Sequence, residues 1–573
     1  MSDHDVTKED LKESLSYSSG GRSSPVRRTL PIPWRLLMIL LTCLCSFGNH
    51  WSNALIVSLK TTILKEMHIN NTQFATLVAV TNLANTILCV LIGLAIDKFG
   101  GAYLSVILAF FHLAGATVMA GAATNGLNSY NVLIVGKVLA AIGDGSLDNA
   151  QHRIFATYFS RGKGFAFSIG AIWSVANLGQ FAGQSTANLI TVNLGSYAWA
   201  LWISASIALF SLLCAGGVVI LDRYLRTHYD IVDQTDGKQH VGKHQSGIFS
   251  LKAIKNLPAT FWIVVLFAIF ENAGVQSFVS ISTQFAQQRL KKGAVIGGWV
   301  SSMYLLLPIC LTPFLGVFID VYGQRVTFLF ISGTSFLISM LLLKFARGVP
   351  TFVAAYVFYA LAQAVTPAPQ VEIVRSVIPD ARFFGTAFAI KKSVVQASIV
   401  IITTAAGKVQ DEAGGDLNPA LTLWVVYAFI SVAISGALLF GSQFARRLLP
   451  AARLSQVPPR HLIAEIQKLE GFSDDESENP MSFFGPELTE NMANRERDLK
   501  APKPHRFMGW IMLGLCVGII VLGWVLFGLG VAWGVHGRYV ESKRRFLFGT
   551  DGRIQCDCRY YRGVGCRTSA KIS

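Results

Sequence analysis

Gly93-Leu94-Ala95-Ile96-Asp97-Lys98-Phe99-Gly100 follows the second long apolar run of the chain. Gly316-Val317-Phe318-Ile319-Asp320-Val321-Tyr322-Gly323, trailed by Arg325, follows the eighth. Both read Gly-x3-Asp-x2-Gly. A second echo precedes the fifth and eleventh runs, where Arg161-Gly-Lys-Gly164-Phe-Ala-Phe-Ser-Ile169 parallels Arg382-Phe-Phe-Gly385-Thr-Ala-Phe-Ala-Ile390. One copy of such a pattern is an ordinary turn; two, at equivalent places, mark a duplicated unit. The leading small residue suits close approach of a helix end to its neighbour. The aspartate suits a helix N-terminus or a basic partner, and the closing glycine suits a tight reversal. Asp97, Lys98, Asp320 and Arg325 are therefore candidate gating residues.

Working outward, the echoes sit among twelve apolar stretches long enough to cross about 30 Å of hydrocarbon as helices. Their limits are about 35–59, 73–96, 103–123, 131–150, 163–190, 198–221, 258–287, 296–319, 326–346, 351–374, 384–408 and 419–445. A segment in lipid must satisfy its backbone internally, and runs this long are helices rather than barrel strands. Of 573 residues, 52% are hydrophobic and only 14% charged, against about 25% charged in soluble domains. That balance excludes a string of soluble globules and excludes disorder over most of the length.

The expected fold is an all-α membrane protein of two pseudo-symmetric six-helix bundles, residues 34–221 and 258–445, joined by a polar linker, 222–257. An arm, 1–33, precedes them; a mobile polar tail, 446–506, with a short helix near 460–470, follows. A thirteenth hydrophobic helix, 507–533, and a Cys-containing tail, 534–573, complete the chain. Lys and Arg concentrate in the flanks of the body and in its even-numbered connections, among them Arg27, Arg28, Arg153, Arg161, Arg223, Arg375, Arg446 and Arg447. By the positive-inside rule the N-terminus, linker and polar tail are cytosolic. The net charge of +16 is then topology, not a footprint for nucleic acid.

Cys43, Cys45, Cys89, Cys214, Cys310 and Cys516 lie in apolar runs and are expected as buried thiols; Cys556, Cys558 and Cys566 cluster without a fourth metal ligand. There is no phosphate-binding Gly-Lys-Ser/Thr loop, metalloprotease His pair, nucleophile elbow or dinucleotide fingerprint in a plausible context. No enzyme activity, cofactor or metal is expected; the partners are a small-molecule substrate and the lipid bilayer.

Six helices, a linker, six helices and an Asp-bearing loop after the second helix of each half resemble the major facilitator superfamily. Lys137 with Gly143 is similar to its basic-x5-Gly element in helix four, while Gly101-Ala102 stand where two basic residues are usual. Within the superfamily, Asn71-Thr-Gln-Phe74, Gly93 to Asp97, Ile142-Gly143, Ser146-Leu147, Ala150-Gln151, Gly162-Lys163, Gly385-Thr-Ala-Phe388 and Ala406-Gly407 resemble the lysosomal dipeptide transporter branch. The resemblance implies two bundles rocking about a central site exposed to each face in turn. It also implies dipeptide export from lysosomes and a small glycosylated accessory subunit. A lysosomal or vacuolar membrane follows from it; a plasma-membrane location stays open. Gly145 stands where that branch has a binding-site glutamate, Asn177 where it has an arginine, and Glu271-Asn272 where it has two tyrosines.

Charge at membrane depth costs about 2.5–3.5 kcal/mol on insertion scales, so such groups line a cavity or pair. Glu271, near the middle of helix seven, either faces the cavity to bind substrate or exchange a proton, or is held in a structural ion pair or kept neutral by burial. Asp144 and Asp148, one turn apart on helix four, either meet substrate or pair with Arg153, Arg161 or Lys163. Lys391 and Lys392 in helix eleven either face the cavity or snorkel to the interface. Asn49, His50 and Asn53 in helix one, and Asn177, Gln180 and Gln184 in helix five, offer amide donors and acceptors to a peptide-like or carboxylate solute. Asn82, Asn85 and His112 read as interhelical hydrogen-bonding groups. The substrate-binding set is therefore Glu271, Asn272, Asn177, Gln180, Asn49, His50, Asn53, Asp148, Lys391 and Lys392, with Lys137 and Asp144 added to the gating set. The expected function is a secondary active or facilitative carrier of small organic solutes, dipeptides or related zwitterions and anions. The alternative is a non-transporting solute sensor or scaffold on a transporter body.

Overall fold

The computed structural model describes residues 30–159, 165–229, 257–345, 349–378, 384–445, 449–458, 461–470 and 506–548, and among these the regular structure is all helix, with no strand. The first half holds α1 (Ile32–Leu44, resuming as Phe47–Ser58), α2 (Asn71–Phe99), α3 (Gly101–Ala122), α4 (Tyr130–Tyr158), α5 (Phe165–Leu194) and α6 (Tyr197–His228). The second holds α7 (Ala259–Leu290), α8 (Gly293–Ser302 and Leu306–Tyr322), α9 (Arg325–Phe345), α10 (Val349–Val365 and Pro367–Val377), α11 (Phe384–Glu412) and α12 (Asn418–Phe444). The last described helix is α13 (Arg506–Phe548). We call the end where α1 begins proximal and the end where it finishes distal.

Twelve described helices are long and apolar enough to cross a membrane, eleven of the body plus α13. The body helix missing from that set is α5, whose Asn177, Gln184, Ser185 and Asn188 are buried between the bundles. Its polarity is aimed at protein rather than lipid.

Each half has its own packed core. In the first, Leu55, Phe74, Met119, Leu133 and Tyr197 pack together; in the second, Phe278, Phe336, Tyr356 and Trp424 do so, with Trp424 Nε1 donating to Ser277 Oγ at 2.9 Å. Between the halves, α2 packs on α11 and α5 on α8. A twofold that carries α2 onto α8 carries α11 onto α5, so these two seams are equivalent under the pseudo-symmetry.

The repeated motif does at its closing glycine what the sequence asks. Gly100 (φ 85) ends α2 and Gly323 (φ 72) ends α8, both in left-handed backbone that a side chain disfavours. The leading glycine corrects the expectation: a Cβ on Gly93 would meet open space, so it is no close-packing contact. Cys310 likewise is exposed rather than buried, because it points outward from α8. Residues 351–374, read as one helix, are broken at Thr366–Pro367, where Pro367 starts the second segment. The tail expected to be mobile is docked over Pro450–Gln456, whose Gln456 Oε1 accepts from Val326 N at 2.8 Å at the start of α9. Leu462–Glu470 forms the short helix beyond it. Cys556, Cys558 and Cys566 lie outside the described residues.

Candidate transport cavity

Between the bundles lies a cavity of about 290 Å³ walled by α1, α2, α4 and α5 on one side and α7, α10 and α11 on the other. His50, Asn53, Lys137, Asp144, Asp148, Gln180, Asn272, Lys391 and Lys392, all anticipated from sequence, are in its wall.

On the first bundle, Asn53 of α1 is the hub. Its Oδ1 accepts from Lys137 Nζ at 2.5 Å, and its Nδ2 donates to Asp144 Oδ2 at 2.6 Å. One amide thus bridges a cation and an anion two turns apart on α4. Lys137 and Asp144, expected as gating groups, stand in the cavity wall.

One turn on, Asp148 faces both bundles. Its Oδ1 lies 3.9 Å from His50 Nε2, and its Oδ2 lies 3.5 Å from Lys392 Nζ of α11. Gln180 holds the far side of the imidazole, with Nε2 3.4 Å from His50 Nδ1. Lys392 also donates to the Gly145 carbonyl and lies 3.5 Å from Asn149 Oδ1. A side chain at position 145 is excluded in this arrangement, because its Cβ would lie 1.9 Å from Asn85 Nδ2. The α2 asparagine occupies the space above Gly145, and Lys392 takes the carbonyl that this leaves accessible. Lys391 sits with its ammonium 5.6 Å over the Phe388 ring, and Phe388 meets the edge of His152.

Glu271 does not line the cavity. It is fully buried one layer behind, with Oε1 accepting from Ser332 Oγ at 2.6 Å and Thr366 Oγ1 at 2.7 Å. Its Oε2 has no hydrogen-bond partner, and no ion pair reaches it among the described residues. Thr366, at the break in α10, is the wall residue between the carboxyl group and the cavity. Asn272, one position on, does face the cavity: its Nδ2 donates to Gln370 Oε1 at 3.2 Å and its Oδ1 accepts from Gln276 Nε2 at 2.6 Å. Asn49 is buried away from the wall, its Nδ2 without a partner. Asn177 is also off the wall; its Oδ1 accepts from Gln363 Nε2 at 2.9 Å, joining α5 to α10.

Arg325 is a local brace rather than a link between bundles. Its Nη2 lies 3.7 Å from Glu372 Oε2, and its Nη1 donates to the Ser455 carbonyl at 2.7 Å. The side chains of Asp97, Lys98 and Asp320 lie outside the described residues.

Sequence reasoning missed the amides Gln276, Gln363, Gln370 and Gln396, and treated Asn82 and Asn85 as mere helix–helix contacts, whereas all six line the cavity. The signal available was spacing: Gln276 is one turn beyond Asn272, and Gln363 and Gln370 are two turns apart across the α10 break. His112, expected as an interhelical hydrogen-bonding group, is buried between α3 and α4 against the Ala140 backbone.

Twelve described body helices in two halves, with a cavity between them whose wall carries charges of both signs, have the architecture of the major facilitator fold. Residues 42–298 match the model of the Major Facilitator Superfamily, and by its described helices the chain is a multi-pass membrane protein. It is similar to the lysosomal dipeptide transporter MFSD1 of Danio rerio, 24% identical over 393 residues covering 66% of this chain and 81% of that protein. The Homo sapiens protein of the same name is 24% identical over 394 residues, with coverages of 66% and 81%. Among solved structures, the proton:xylose symporter XylE superposes with a TM-score of 0.57 at 13% identity, covering 72% of this chain and 96% of its own. The E. coli fucose:proton symporter FucP does so with a TM-score of 0.51 at 16% identity, covering 72% and 99%.

Proposed function

We propose that this chain carries small zwitterionic or anionic organic solutes, dipeptides among them, across a lysosomal or vacuolar membrane by alternating access, with the proximal end in the cytosol. The observation that carries the reading is the Lys392–Asp148 pair, 3.5 Å apart and contributed by opposite bundles inside the cavity. Each partner is a ready receptor for one end of a zwitterion. A substrate carboxylate competes with Asp148 for Lys392 and is also within the field of Lys391; a substrate ammonium competes with Lys392 for Asp148. Occupation of the site therefore exchanges a bond between bundles for bonds to solute, which ties binding to rocking. The amides of Asn272, Gln276 and Gln180 supply paired donors and acceptors for a peptide unit. The MFSD1 relatives are named for dipeptides, which supports that solute class.

The test is a thermal-shift screen of purified protein against dialanine, single amino acids and monocarboxylates, followed by uptake of labelled dialanine into proteoliposomes with and without a pH gradient. Dialanine is expected to stabilise the protein and to accumulate to equilibrium. Lys392→Gln and Asp148→Asn are each expected to weaken apparent affinity by at least tenfold, since a charge-assisted bond is worth about 1.5–3 kcal/mol. Absence of both stabilisation and uptake for all three classes would overturn the reading.

A further inference from the structure

The helix after the body, α13, presents two unlike faces. Gly514, Gly518 and Gly528 look outward into open space. Gly523 and Gly530, two turns apart, look inward, where each lets the helix lie against the body. A Cβ on Gly523 would be 3.4 Å from Ala397 Cβ of α11; one on Gly530 would be 2.7 Å from Thr404 Cγ2 of α11 and 3.5 Å from Thr76 Oγ1 of α2.

The partners of α13 change along its length. Over 512–520, the inward residues Met512, Leu513, Cys516, Ile519 and Ile520 pack with Phe261 and Trp262 of α7 and Ile390 and Val394 of α11, all in the second bundle. From Trp524 onward α13 reaches the first bundle as well. Trp524 Nε1 donates to Thr86 Oγ1 of α2 at 3.1 Å, and Phe527 is wedged between Ala79 and Leu83 of α2 and Val400 of α11. Farther on, Lys408 of α11 stands 5.5 Å over the Trp533 ring.

Thus α13 is seated on the second bundle throughout and grips the first only over its distal half. The two helices it spans there carry the distal closure: α2 begins with Asn71 and Thr72, and both donate to the Asp411 carboxylate near the end of α11. Parting the bundles at that end must pull α2 from α11, break the Trp524–Thr86 bond and draw Phe527 out of the seam. We propose that α13 is a built-in clamp that rides on the second bundle and holds the distal gate shut. The proposal rests on the alternating-access reading but not on the choice of solute.

Amide hydrogen exchange of residues 60–72 and 408–416 in the full-length, solute-free protein reads the gate directly. Thr86→Val together with Phe527→Ala is expected to speed exchange of both segments at least tenfold, since one hydrogen bond is worth about 1 kcal/mol and the lost ring adds to it. Thr86→Val alone, which leaves the packing intact, gives a smaller rise in the same direction, and Val525→Ala on the outer face gives none. A disulfide between Thr76→Cys and Gly530→Cys, confirmed by peptide mass spectrometry, should slow exchange and release it on reduction. A disulfide between Ala397→Cys and Gly523→Cys joins parts of one moving body and should leave exchange unchanged. The clamp is overturned if Thr86→Val with Phe527→Ala leaves the gate at the wild-type rate while Asp411→Ala speeds it, or if both disulfides slow it equally. If Asp411→Ala itself leaves the gate unmoved, it is the alternating-access reading that fails.

Discussion

The two ends of the interface between bundles are built differently. At the distal end it is laced by polar side chains from both halves. Lys60 Nζ donates to Gln410 Oε1 at 3.1 Å. Asp411 accepts from Asn71 N at 3.2 Å and Thr72 N at 2.9 Å, and also from the Thr72 hydroxyl. Gln184 Nε2 lies within 3.2 Å of the Ser282, Thr283 and Ser301 hydroxyls, and Asn188 Nδ2 donates to the Ala294 carbonyl at 3.3 Å. Nearer the proximal end, the described residues offer Ser174 Oγ donating to the Ile309 carbonyl at 2.5 Å and the edge-on His152–Phe388 contact. A carrier must close each end reversibly, and hydrogen bonds between short side chains, worth about 1 kcal/mol each, suit that better than interlocked apolar packing. The chain is therefore seen with its distal end latched, and the latch is a sum of small terms that can be removed singly.

The largest single term is Asp411. It caps the start of α2 from the opposite bundle, so its carboxylate meets backbone N–H groups and the positive end of a helix dipole together. Asp411→Ala is expected to cost the closed state about 2 kcal/mol, roughly a thirtyfold rise in hydrogen exchange at residues 60–72. Asp411→Asn, which keeps one acceptor oxygen but loses the other and the charge, should recover less than half of that in free energy. A wild-type rate in Asp411→Asn would mean that the charge is idle.

Lys60 makes the same latch sensitive to pH. Burial lowers its ammonium from 10.5 to about 7, partly opposed by the nearby Asp411 carboxylate. When the gate opens, the group returns to water and to its ordinary value, so the open state binds the proton more tightly. Below about pH 7 both states are protonated, and the closed state bears the full burial cost. Closure strengthens as pH rises above that point toward the ordinary value, by at most tenfold per unit. Gate exchange should therefore be fastest and level in acid and slow from neutral pH to pH 9, with intrinsic exchange rates divided out. Lys60→Met should flatten the profile. A profile that is unchanged in Lys60→Met would assign the pH dependence elsewhere.

Gln184→Leu comes next. It removes the amide shared by three hydroxyls of α7 and α8 and is expected to cost about 1–1.5 kcal/mol, since those hydroxyls keep some bonding among themselves. Thr283 Oγ1 and Ser301 Oγ, 3.0 Å apart, are that residual pair. Gate exchange should rise close to tenfold; no rise would place α7 and α8 outside the latch.

The contrast between ends was not legible in the sequence, although the fold was. Hydropathy, length and the duplicated turn are local signals, and they sufficed for two six-helix halves. The site depended on helix rotation, which only packing sets. Glu271 and Asn272 are neighbours, yet consecutive helical residues diverge by about 100°, so one enters the cavity and the other turns back to Ser332 and Thr366. Asn49 and His50 part in the same way, whereas Gln180 and Gln184, one turn apart on one face of α5, differ in height along the helix, one at the cavity and the other at the distal latch. Lys391 and Lys392 escape the rule because their long stems bring both ammonium groups to the wall. The particular contact of Asn85 was not legible because it is made with a residue of no side chain, Gly145.

The smallest expected effect probes the weaker end. Ser174 donates its hydroxyl to the Ile309 carbonyl across the α5–α8 seam, close to where a Cβ on Gly170 would lie 2.8 Å from the Thr312 carbonyl. Because the helices already touch there, Ser174→Ala leaves the packing and removes only the bond, the one offered to a carbonyl whose helical partner position, Pro313, has no N–H. The cost is expected to be about 1 kcal/mol, the low end for a carbonyl left unpaired, with a fall of roughly 1–2 °C in melting temperature for a chain of this size. Exchange at residues 60–72 should not change, since the bond belongs to the other half of the interface. If Ser174→Ala instead loosened the distal segments as Gln184→Leu does, the two ends would be mechanically one, and the asymmetry between them would reflect position along a rigid seam rather than two separate gates.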